Sequence, residues 1–532
     1  MTYNFLNNFN KPFYLCIFAN LNFSNSSLNS RKFMLENTTE KSLYDYQEKD
    51  LQKIFDKIEN SPDNFNLLYQ LPTGGGKTVV FSEIVRRYIE KTGKKVIVLT
   101  HRIELCKQTS DMLEGFGVQN KIINSKVKEL SDDNDYMCFV AMVETLNNRL
   151  NEEKLNMKNI GLAIIDEAHY NSFTKLFGYL RNAFILGVTA TPLSSNIKLP
   201  MHRNYEELIV GNSISSLIEK GFLAEAKMYS YDVGLGTLQV GITGDYTVKS
   251  SEDLYTNLDM QEKLIQAYEE KCKGKKTLIF NNGINTSWYV YQTFKDAGYD
   301  IKHLDNTHNK KERKAILKWF KEKPDAILTS VSILTTGFDE PTVENIILNR
   351  ATKSLTLYFQ MIGRGSRKLP NKDTFNVIDL GNNIARFGPW DAPVDWQLIF
   401  ENPDYFLDNM VSDEEIELNF KYEMPDEVRE MFKNSEDIEF DIRRRYNETV
   451  NNGEKSKLVL EESIAQHARM CAENSEDVFD ARILARELKD DIKDRIKRYS
   501  NCIINNTKNY RDWLYEDYVR KLRVKINEHF ME

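Results

Sequence analysis

Short apolar runs alternate with helix-like segments over most of the first 400 residues, and this alternation constrains the fold more than any other feature. Runs such as KVIVLT, LAIIDEA and AFILGVTAT have the length of strands, and the segments between them show the spacing of amphipathic helices. Strands that alternate with helices form βαβ units, in which the strands lie parallel and the helices cover the sheet. The sequence therefore predicts an α/β fold.

The alternation occurs twice along the chain. A first series covers residues 42–224, and a second series, with KTLIF, DAILTS and FNVIDL among its strands, covers residues 259–397. Between them, residues 225–258 are rich in Gly, Thr and Ser, which predicts an interdomain linker or a strand pair. We therefore expect two α/β domains of similar size, each with a parallel sheet.

The two ends of the chain depart from this pattern. Residues 1–41 are rich in Asn, Ser and Phe and lack periodicity, so we expect a disordered extension or a misassigned start with Met34 as the true start; a signal peptide is a third reading. Residues 398–453 predict an acidic linker, and residues 454–532 predict a helical C-terminal domain of mixed charge. This domain could bind nucleic acid, bind a partner or brace the second domain.

Composition limits the partners and the compartment. A formal net charge of −8 argues against a uniformly basic nucleic-acid coat but allows a local basic cleft. No run approaches the roughly 20 apolar residues that a membrane helix needs. The six cysteines show no C-x-x-C spacing, which argues against a zinc site and a disulfide framework. We expect a soluble protein of the reducing cytoplasm, without a membrane partner.

One segment predicts a phosphate-binding site. In LLYQLPTGGGKTVVFSEI, an apolar strand leads through three glycines into an amphipathic helix. The backbone N–H groups of such a loop can surround a phosphate chain, the lysine can reach the β- and γ-phosphates, and the threonine can ligate Mg²⁺. Leu71 stands where the full P-loop pattern has a first glycine. We predict that ATP contacts Thr73, Gly74, Gly75, Gly76, Lys77 and Thr78.

A second segment predicts the catalytic carboxylates. In AIIDEAHYNSF, an apolar strand ends in Asp166 and Glu167. The carboxyl ends of parallel strands share the edge of the sheet where ligands bind, so we expect both carboxylates near Lys77. Asp166 is predicted to hold Mg²⁺ through water, and Glu167 to orient and deprotonate the attacking water. Together with Thr78, these residues predict hydrolysis of a nucleoside triphosphate.

These two segments and six others resemble the motifs of superfamily 2 DEAH-type helicases and translocases, in motif order, over about residues 43–390. LYDYQ is similar to the adenine-recognition segment, LPTGGGKT to motif I, VIVLTHRIEL to motif Ia, DEAH to motif II and TAT to motif III. In the second series, TLIFNNGI, TTGFDEPTVENIIL and QMIGRGSR are similar to motifs IV, V and VI. The resemblance implies two tandem RecA-like domains and an ATP-driven motor on nucleic acid.

Within this superfamily, GDY at residues 244–246, SLTLYFQMIGRGSR and VIDLGNNIARFGPWDAP resemble the RadD-like repair helicases and the Res subunits of restriction enzymes. Two features depart from that group: Tyr44 and Asp45 stand where it usually has Arg and Pro, and the C-terminal part has no cysteine-rich zinc element. The resemblance implies DNA more than RNA as the substrate, in the form of branched or forked repair or replication intermediates. The motor of a restriction-modification complex and an RNA helicase are the alternatives. Repair, replication or restriction proteins are the expected partners.

The resemblance also implies roles for motif VI and the adenine segment. Gln47 is expected to contact the base. Gln360, Arg364 and Arg367 are expected to supply the arginine fingers and the γ-phosphate sensor, and their spacing predicts that they share one face of a helix.

Further residues are expected to respond to the nucleotide or to hold the nucleic acid. The resemblance places Gly337 and Asp339 at the nucleotide cleft, and it implies that His169, Thr189 and Thr191 couple the nucleotide site to the strand-binding surface. Contacts with the phosphates of the nucleic acid, which fix position without reading sequence, are expected from Thr100, His101, Arg102, Thr335 and Thr336.

Overall fold

The structure is a computed structural model and describes residues 43–123, 136–151, 159–196, 198–335, 337–419, 422–500, 502–503 and 508–531. The predictions for residues 1–41, including the start at Met34, and the prediction for Thr336 lie outside these residues.

A seven-stranded sheet forms the centre of the first domain, and all its strands run parallel. The strands are β1 (Asn66–Gln70), β2 (Lys95–Thr100), β3 (Asn120–Ile123), β4 (Cys138–Met142), β5 (Ile160–Asp166), β6 (Phe184–Thr189) and β7 (Glu207–Val210). Their order across the sheet is β3-β4-β2-β5-β6-β1-β7. The helices of this domain are α1 (Asp45–Asn60), α2 (Lys77–Thr92), α3 (Ile103–Gly115), α4 (Val143–Asn151), α5 (Thr174–Phe177) and α6 (Ile214–Glu219).

A six-stranded parallel sheet forms the centre of the second domain. Its strands are β8 (Glu225–Ser230), β9 (Thr277–Asn281), β10 (Ile301–Leu304), β11 (Ile327–Ser330), β12 (Asn345–Asn349) and β13 (Thr374–Asp379), in the order β10-β11-β9-β12-β13-β8. The helices are α7 (Val248–Tyr255), α8 (Leu258–Lys271), α9 (Ile284–Asp296), α10 (Lys310–Glu322), α11 (Leu355–Ile362) and α12 (Asn383–Phe387).

The central strands explain the sequence pattern. All seven residues of β5 are buried, as are five of the six in β2, because helices cover both faces of the sheet. Strands covered on both faces are unbroken apolar runs in sequence, as in IGLAIID. The prediction of two parallel α/β domains is therefore confirmed.

The structure differs from the prediction at residues 225–258. Instead of a linker or a strand pair, this segment begins with β8, which pairs in parallel with β13 at the edge of the second sheet. The six residues of β8 are all exposed or half-buried, so the strand lacks the apolar run that marks its neighbours. Helix α7 then follows within the same segment.

The remainder of the described chain is helical. Its helices are α13 (Trp396–Glu401), α14 (Pro403–Asp408), α15 (Asp413–Asn419), α16 (Asp426–Met431), α17 (Ile442–Asn451), α18 (Leu458–Glu473), α19 (Val478–Glu487), α20 (Lys489–Ser500) and α21 (Lys508–His529). Helices α18 and α21 are the centre of a C-terminal apolar core. The predicted helical C-terminal region is confirmed. In the described part of the chain, no helix has both the length and the apolar character to cross a membrane.

The acidic segment 398–453 is not a plain linker. Its side chains of Met424, Phe432 and Ile442 are buried in the same apolar core as the later helices. The acidic residues between them are largely on the surface, and they concealed this short series of buried positions in the sequence. The apolar core of the C-terminal helices therefore includes positions within the segment predicted as an acidic linker.

Candidate ATPase site and interdomain cleft

The glycine loop joins β1 to α2, and its backbone requires glycine at two positions. Gly74 has a φ of +92° and Gly76 a φ of +89°, in the left-handed region that favours glycine. A Cβ at Gly76 would lie 2.4 Å from Gln47 Nε2, and one at Gly74 would lie 2.7 Å from Leu223 Cδ2. The loop therefore brings bare backbone into a confined space, as close approach to a phosphate chain requires.

Lys77 is the first residue of α2, and no side chain caps the start of this helix. The first N–H groups of a helix have no partner within the helix, so this end suits an anion. The ammonium of the half-buried Lys77 donates to the carbonyl of Leu71 at 3.3 Å. Burial lowers the pKa of Lys77, although the carboxylates of Glu167 and Asp166 oppose this effect. The arrangement fits the phosphates of ATP.

The acidic pair lies at the carboxyl end of β5. Asp166 is buried, and its Oδ1 accepts from the backbone N–H of Glu167 at 3.0 Å. Glu167 has a φ of +54°, one of two positive values among the described residues other than glycine. Such backbone costs about 1 to 3 kcal/mol and is concentrated at functional sites. Sequence reasoning placed the carboxylate there but gave no sign of this strain.

The two carboxyl groups have opposite pKa shifts. Burial raises the pKa of Asp166, and the charge of Glu167 raises it further. Burial also acts to raise the pKa of Glu167, but the charges of Lys77 and then His169 outweigh it and the pKa is lowered. Neighbouring groups whose environments separate their pKa values are typical of sites that move protons.

The chemistry of the donors fits Mg²⁺. The Thr78 hydroxyl is in the first turn of α2, and the Asp166 carboxylate is at the end of β5, which β6 separates from β1 in the sheet. Mg²⁺ takes oxygen ligands and usually keeps several waters, so one carboxylate and one hydroxyl are enough beside substrate phosphates. Among the described residues, no cluster of three or more His, Cys, Asp or Glu could hold a metal without such phosphates.

Gln47 supports the glycine loop. Its Oε1 accepts from the backbone N–H of Tyr44 at 3.0 Å, and its Nε2 donates to the carbonyl of Gly75 at 3.1 Å. The hydroxyl of Tyr46 donates to the same carbonyl at 2.7 Å. Phe222, which sequence reasoning missed, lies 4.5 Å from Tyr44 between ring centroids, beside an open depression of about 960 Å³. Both polar atoms of the Gln47 amide therefore already have partners.

The prediction that Gln360, Arg364 and Arg367 share one face of a helix is wrong. Helix α11 ends at Ile362, so Arg364 and Arg367 follow the helix and do not share a helical face with Gln360. The glycines at 363 and 365 explain the early end, because glycine is unfavourable within a helix. Arginines three apart in the sequence had suggested a helical face, but they lie in the turn that leads to the next strand.

The two arginines hold different partners. The half-buried Arg364 donates to the carbonyls of Thr335, at 2.5 and 3.0 Å, and of Phe338, at 2.6 Å. Burial lowers its pKa to about 10. Arg367 donates through Nη1 to the carbonyl of Gly74 at 2.9 Å, and its Nε is 2.9 Å from Asp339 Oδ1. Arg364 thus ties motif VI to motif V, whereas Arg367 reaches the glycine loop of the other domain.

The predicted coupling residues form a chain across the cleft. His169 Nδ1 lies 3.1 Å from the hydroxyl of Thr189, and its Nε2 lies 3.4 Å from Gln360 Nε2 in the second domain. Thr189 donates to the carbonyl of Thr191 at 3.0 Å. The hydroxyl of Thr191 in turn lies 2.9 Å from that of Thr356 on α11. Motifs II, III and VI are therefore in direct contact.

The predicted nucleic-acid residues are less accessible than expected. The side chains of Thr100 and Thr335 are buried, so only their neighbouring backbone can face a ligand. The ring of His101 lies 4.2 Å from that of Tyr170, and neither ring nitrogen has a hydrogen-bond partner among the described residues. Arg102 donates to the carbonyl of Ile333 in the second domain at 3.2 Å.

Two further contacts across the cleft were missed from the sequence. Gln108 on α3 donates to the carbonyl of Gly337 at 2.8 Å, and Glu104 pairs with Arg313 on α10 at 3.1 Å. Polar residues on an amphipathic helix are usually solvated, and nothing in the sequence distinguished these two. The contact of Gln108 places Gly337 at the cleft.

Comparison with known proteins identifies both domains. The family model of the type III restriction enzyme Res subunit matches residues 40–194, and that of the helicase conserved C-terminal domain matches residues 258–368. IRC3 of Saccharomyces cerevisiae, named as an ATP-dependent helicase, is 28% identical over 356 residues. The match covers 63% of this chain and 51% of IRC3, so the chain spans about half the length of that relative.

Two other proteins extend the comparison. A 51.5 kDa protein of a Lactococcus phage is 28% identical over 338 residues, which cover 63% of this chain and 70% of the phage protein. A fragment of an HsdR subunit of a type I restriction enzyme from Vibrio vulnificus YJ016 has a TM-score of 0.53 at 22% identity. The match covers 66% of this chain and 67% of the fragment. This likeness supports the fold alone.

The paired parallel sheets, with a glycine loop on one and arginines on the other, define the tandem-domain architecture of helicases. Over both domains, the chain is similar to superfamily 2 helicases of the branch that contains the restriction-enzyme Res subunits.

Proposed function

We propose that the chain is an ATP-driven translocase that steps along DNA and acts on branched or forked repair or replication intermediates. The observation that supports it best is the direct contact between the ATPase motifs of the two domains. Arg367 reaches Gly74, and Gln360 lies beside His169. A motor of this kind needs its second domain to respond to the nucleotide held by the first.

In the proposed reaction, the ammonium of Lys77 and the N–H groups at the start of α2 bind the β- and γ-phosphates. The carboxylate of Glu167, whose pKa is lowered by Lys77 despite burial, orients the attacking water and accepts its proton. Thr78 and Asp166 would hold Mg²⁺, which when bound neutralises phosphate charge.

Arg367 connects hydrolysis with movement. Its guanidinium is at the glycine loop in the closed arrangement, where it can stabilise charge on the transferred phosphoryl group. Loss of the γ-phosphate weakens this attraction, and the two domains separate. In the closed cleft, Arg102 lies against the motif V backbone around Thr335. When the domains separate, these two groups move relative to each other along the bound strand.

Sequence-independent binding follows from the chemistry of these groups. Backbone N–H groups and an arginine contact phosphates and sugars rather than base edges. We therefore expect affinity that falls with salt and varies little with sequence.

A second candidate is the motor subunit of a restriction-modification complex. The family match over residues 40–194 favours it. In that case cleavage is carried out with a partner, and turnover depends on duplex DNA rather than on forks.

Steady-state ATP turnover with single-stranded DNA, duplex, forked DNA and RNA tests the proposal. Highest stimulation by forked DNA supports it, stimulation by duplex alone favours the restriction motor, and stimulation by RNA alone favours an RNA helicase. Equal turnover with and without every nucleic acid contradicts the motor function.

Two variants test the ATPase assignment in the same assay. Lys77→Ala should lose nucleotide binding, whereas Glu167→Gln should bind ATP and turn over about 10²-fold to 10⁴-fold more slowly. Lys91→Ala and Glu90→Gln, which change exposed side chains on the outer part of α2, are the matched controls. Unchanged turnover in Glu167→Gln excludes Glu167 as the base.

A further inference from the structure

Helix α10 concentrates positive charge on a protein that is acidic as a whole. Residues 310–323 contain seven Lys or Arg and two Glu, a net charge of +5, whereas the full chain has a formal charge of −8. The Arg of this segment faces the first domain, but most of its lysines are exposed. The segment is therefore a local basic surface, which the net charge of the whole chain does not reveal.

Four of these residues form a lysine stripe, which consists of Lys310, Lys314, Lys318 and Lys321. All four are exposed, and their spacing of four, four and three places them along one side of the helix. Neighbours at this spacing lie about 6 Å apart, and the stripe is about 16 Å long. Lys318 pairs with Glu322 at 3.7 Å, and the other three have no ion pair within the described ranges.

Helix stability does not explain the lysine stripe. Like charges at i and i+4 repel each other, and lysines in the first turn oppose the helix dipole. The start of α10 is stabilised instead by a capping box, in which Asn309 accepts from the N–H of Glu312 at 3.0 Å and Glu312 accepts from the N–H of Asn309 at 3.0 Å. The lysines add repulsion to a helix that is already capped.

The position of α10 brings the start of the helix, next to the lysine stripe, to the cleft. The helix starts just beyond the carboxyl end of β10, and Arg313 joins it to Glu104 of the first domain at 3.1 Å. Trp319, which lies about half a turn around the helix from the stripe, covers the edge strand β10, with Lys302 Nζ 4.6 Å from its ring centroid. The stripe is therefore on the side of α10 that faces away from this outer edge of the sheet.

We propose that the lysine stripe binds the phosphate backbone of a nucleic-acid strand where that strand leaves the cleft. Regularly spaced ammonium groups attract phosphates as point charges and release counterions, without reading bases. The inference rests on the proposed function and adds a second, outer contact for the strand on which the motor moves. Its function is to lengthen the contact with nucleic acid beyond the cleft.

Binding of fluorescent single-stranded DNA and RNA to the full chain at several salt concentrations tests the inference. The test variant changes Lys310, Lys314 and Lys321 to Gln. The matched control changes Lys271, Lys273 and Lys275 to Gln, because these exposed lysines precede β9 at the amino ends of the strands, whereas α10 follows the carboxyl end of β10.

We expect the test variant to bind an oligonucleotide of about 30 nucleotides at least about tenfold more weakly near physiological salt, and its log–log salt slope to fall by about two. An oligonucleotide of about 8 nucleotides, which fills the cleft alone, should bind as before. The control should match the unaltered chain throughout, and Lys→Arg at the three test positions should restore the slope.

Three outcomes are distinguishable. A test variant with the affinity and salt slope of the unaltered chain overturns the inference while the proposed function stands. Failure of the unaltered chain to bind any DNA or RNA overturns the proposed function and the inference with it. If the test variant binds the 8-nucleotide and the 30-nucleotide probes equally more weakly than the unaltered chain, the contact is not an outer one. The melting temperature of the test variant should equal or exceed that of the unaltered chain, because repulsion between lysines is removed.

Discussion

The buried His467 makes the C-terminal domain sensitive to acid. Its Nε2 lies 2.7 Å from Asp491 Oδ2 and its Nδ1 lies 2.9 Å from the Tyr518 hydroxyl, at the centre of the helical core. Burial, and then the charge of Arg495, lowers the pKa of His467 from 6.5 to about 4. In the folded domain the imidazole is therefore neutral at pH 7.

Acidification should destabilise this domain by an amount that follows from the shift. Between pH 6.5 and 4 the unfolded chain binds a proton at His467 that the folded chain does not, so the free energy of unfolding falls as pH falls. At pH 5 the loss is about 2 kcal/mol, and below pH 4 it approaches about 3 kcal/mol. Asp491, whose pKa is lowered below its usual value, titrates outside this window.

The loss in free energy of unfolding can be measured by hydrogen exchange of the α18 and α21 amides in the full chain at pH 7 and at pH 5. The rates are corrected for the pH dependence of intrinsic amide exchange. His467→Gln removes the titrating group and should flatten the dependence. Protection that is equal at the two pH values in the unaltered chain, or a dependence that persists unchanged in His467→Gln, would refute the reasoning.

Three further changes test the ATPase site. Gly76→Ala places a methyl group 2.4 Å from Gln47 Nε2 at a φ of +89°, and nucleotide affinity should fall at least about tenfold in a fluorescent-nucleotide titration; unchanged affinity would contradict the close-approach argument. Arg367→Ala removes the contact with the glycine loop and should lower the turnover number about 10³-fold or more, with nucleotide binding largely kept; a change in affinity alone would contradict it. Thr356→Val removes a hydroxyl contact of 2.9 Å across the cleft, and nucleic-acid-stimulated turnover should fall severalfold with basal turnover less affected, whereas Thr356→Ser should retain it.

The sequence predicted most of the fold because the central strands are buried on both faces. This burial produces continuous apolar runs such as those of β2 and β5, which can be recognised in the sequence. Strand β8 has no such run, because it is an edge strand with half-exposed residues and little apolar content. The buried positions between the acidic residues of 398–453 were concealed for a related reason: few apolar residues there are close enough in sequence to form a pattern.

The site was predictable where chemistry depends on local spacing. The glycines before Lys77 and the carboxylates after β5 are contiguous in sequence, and the strand order brings β1 and β5 to neighbouring positions on either side of β6. The left-handed backbone of Glu167 could not be read from its residue type, since an L-residue rarely adopts that conformation.

Contacts across the cleft were harder to predict, because they join residues that are far apart in sequence. Arg367 and Gly74 are 293 positions apart, and Glu104 and Arg313 are 209 apart. The end of α11 determines that Arg367 reaches the glycine loop and that Arg364 contacts motif V. The spacing of the arginines in QMIGRGSR did not reveal where this helix ends.

Displacement of streptavidin from the end of a biotinylated DNA strand tests the central claim, that closure of the cleft on ATP drives stepping along a strand. The unaltered chain should release streptavidin from one end of the strand in an ATP-dependent manner, and Glu167→Gln should bind ATP and DNA without releasing it. DNA-stimulated ATP turnover without displacement from either end would contradict the account.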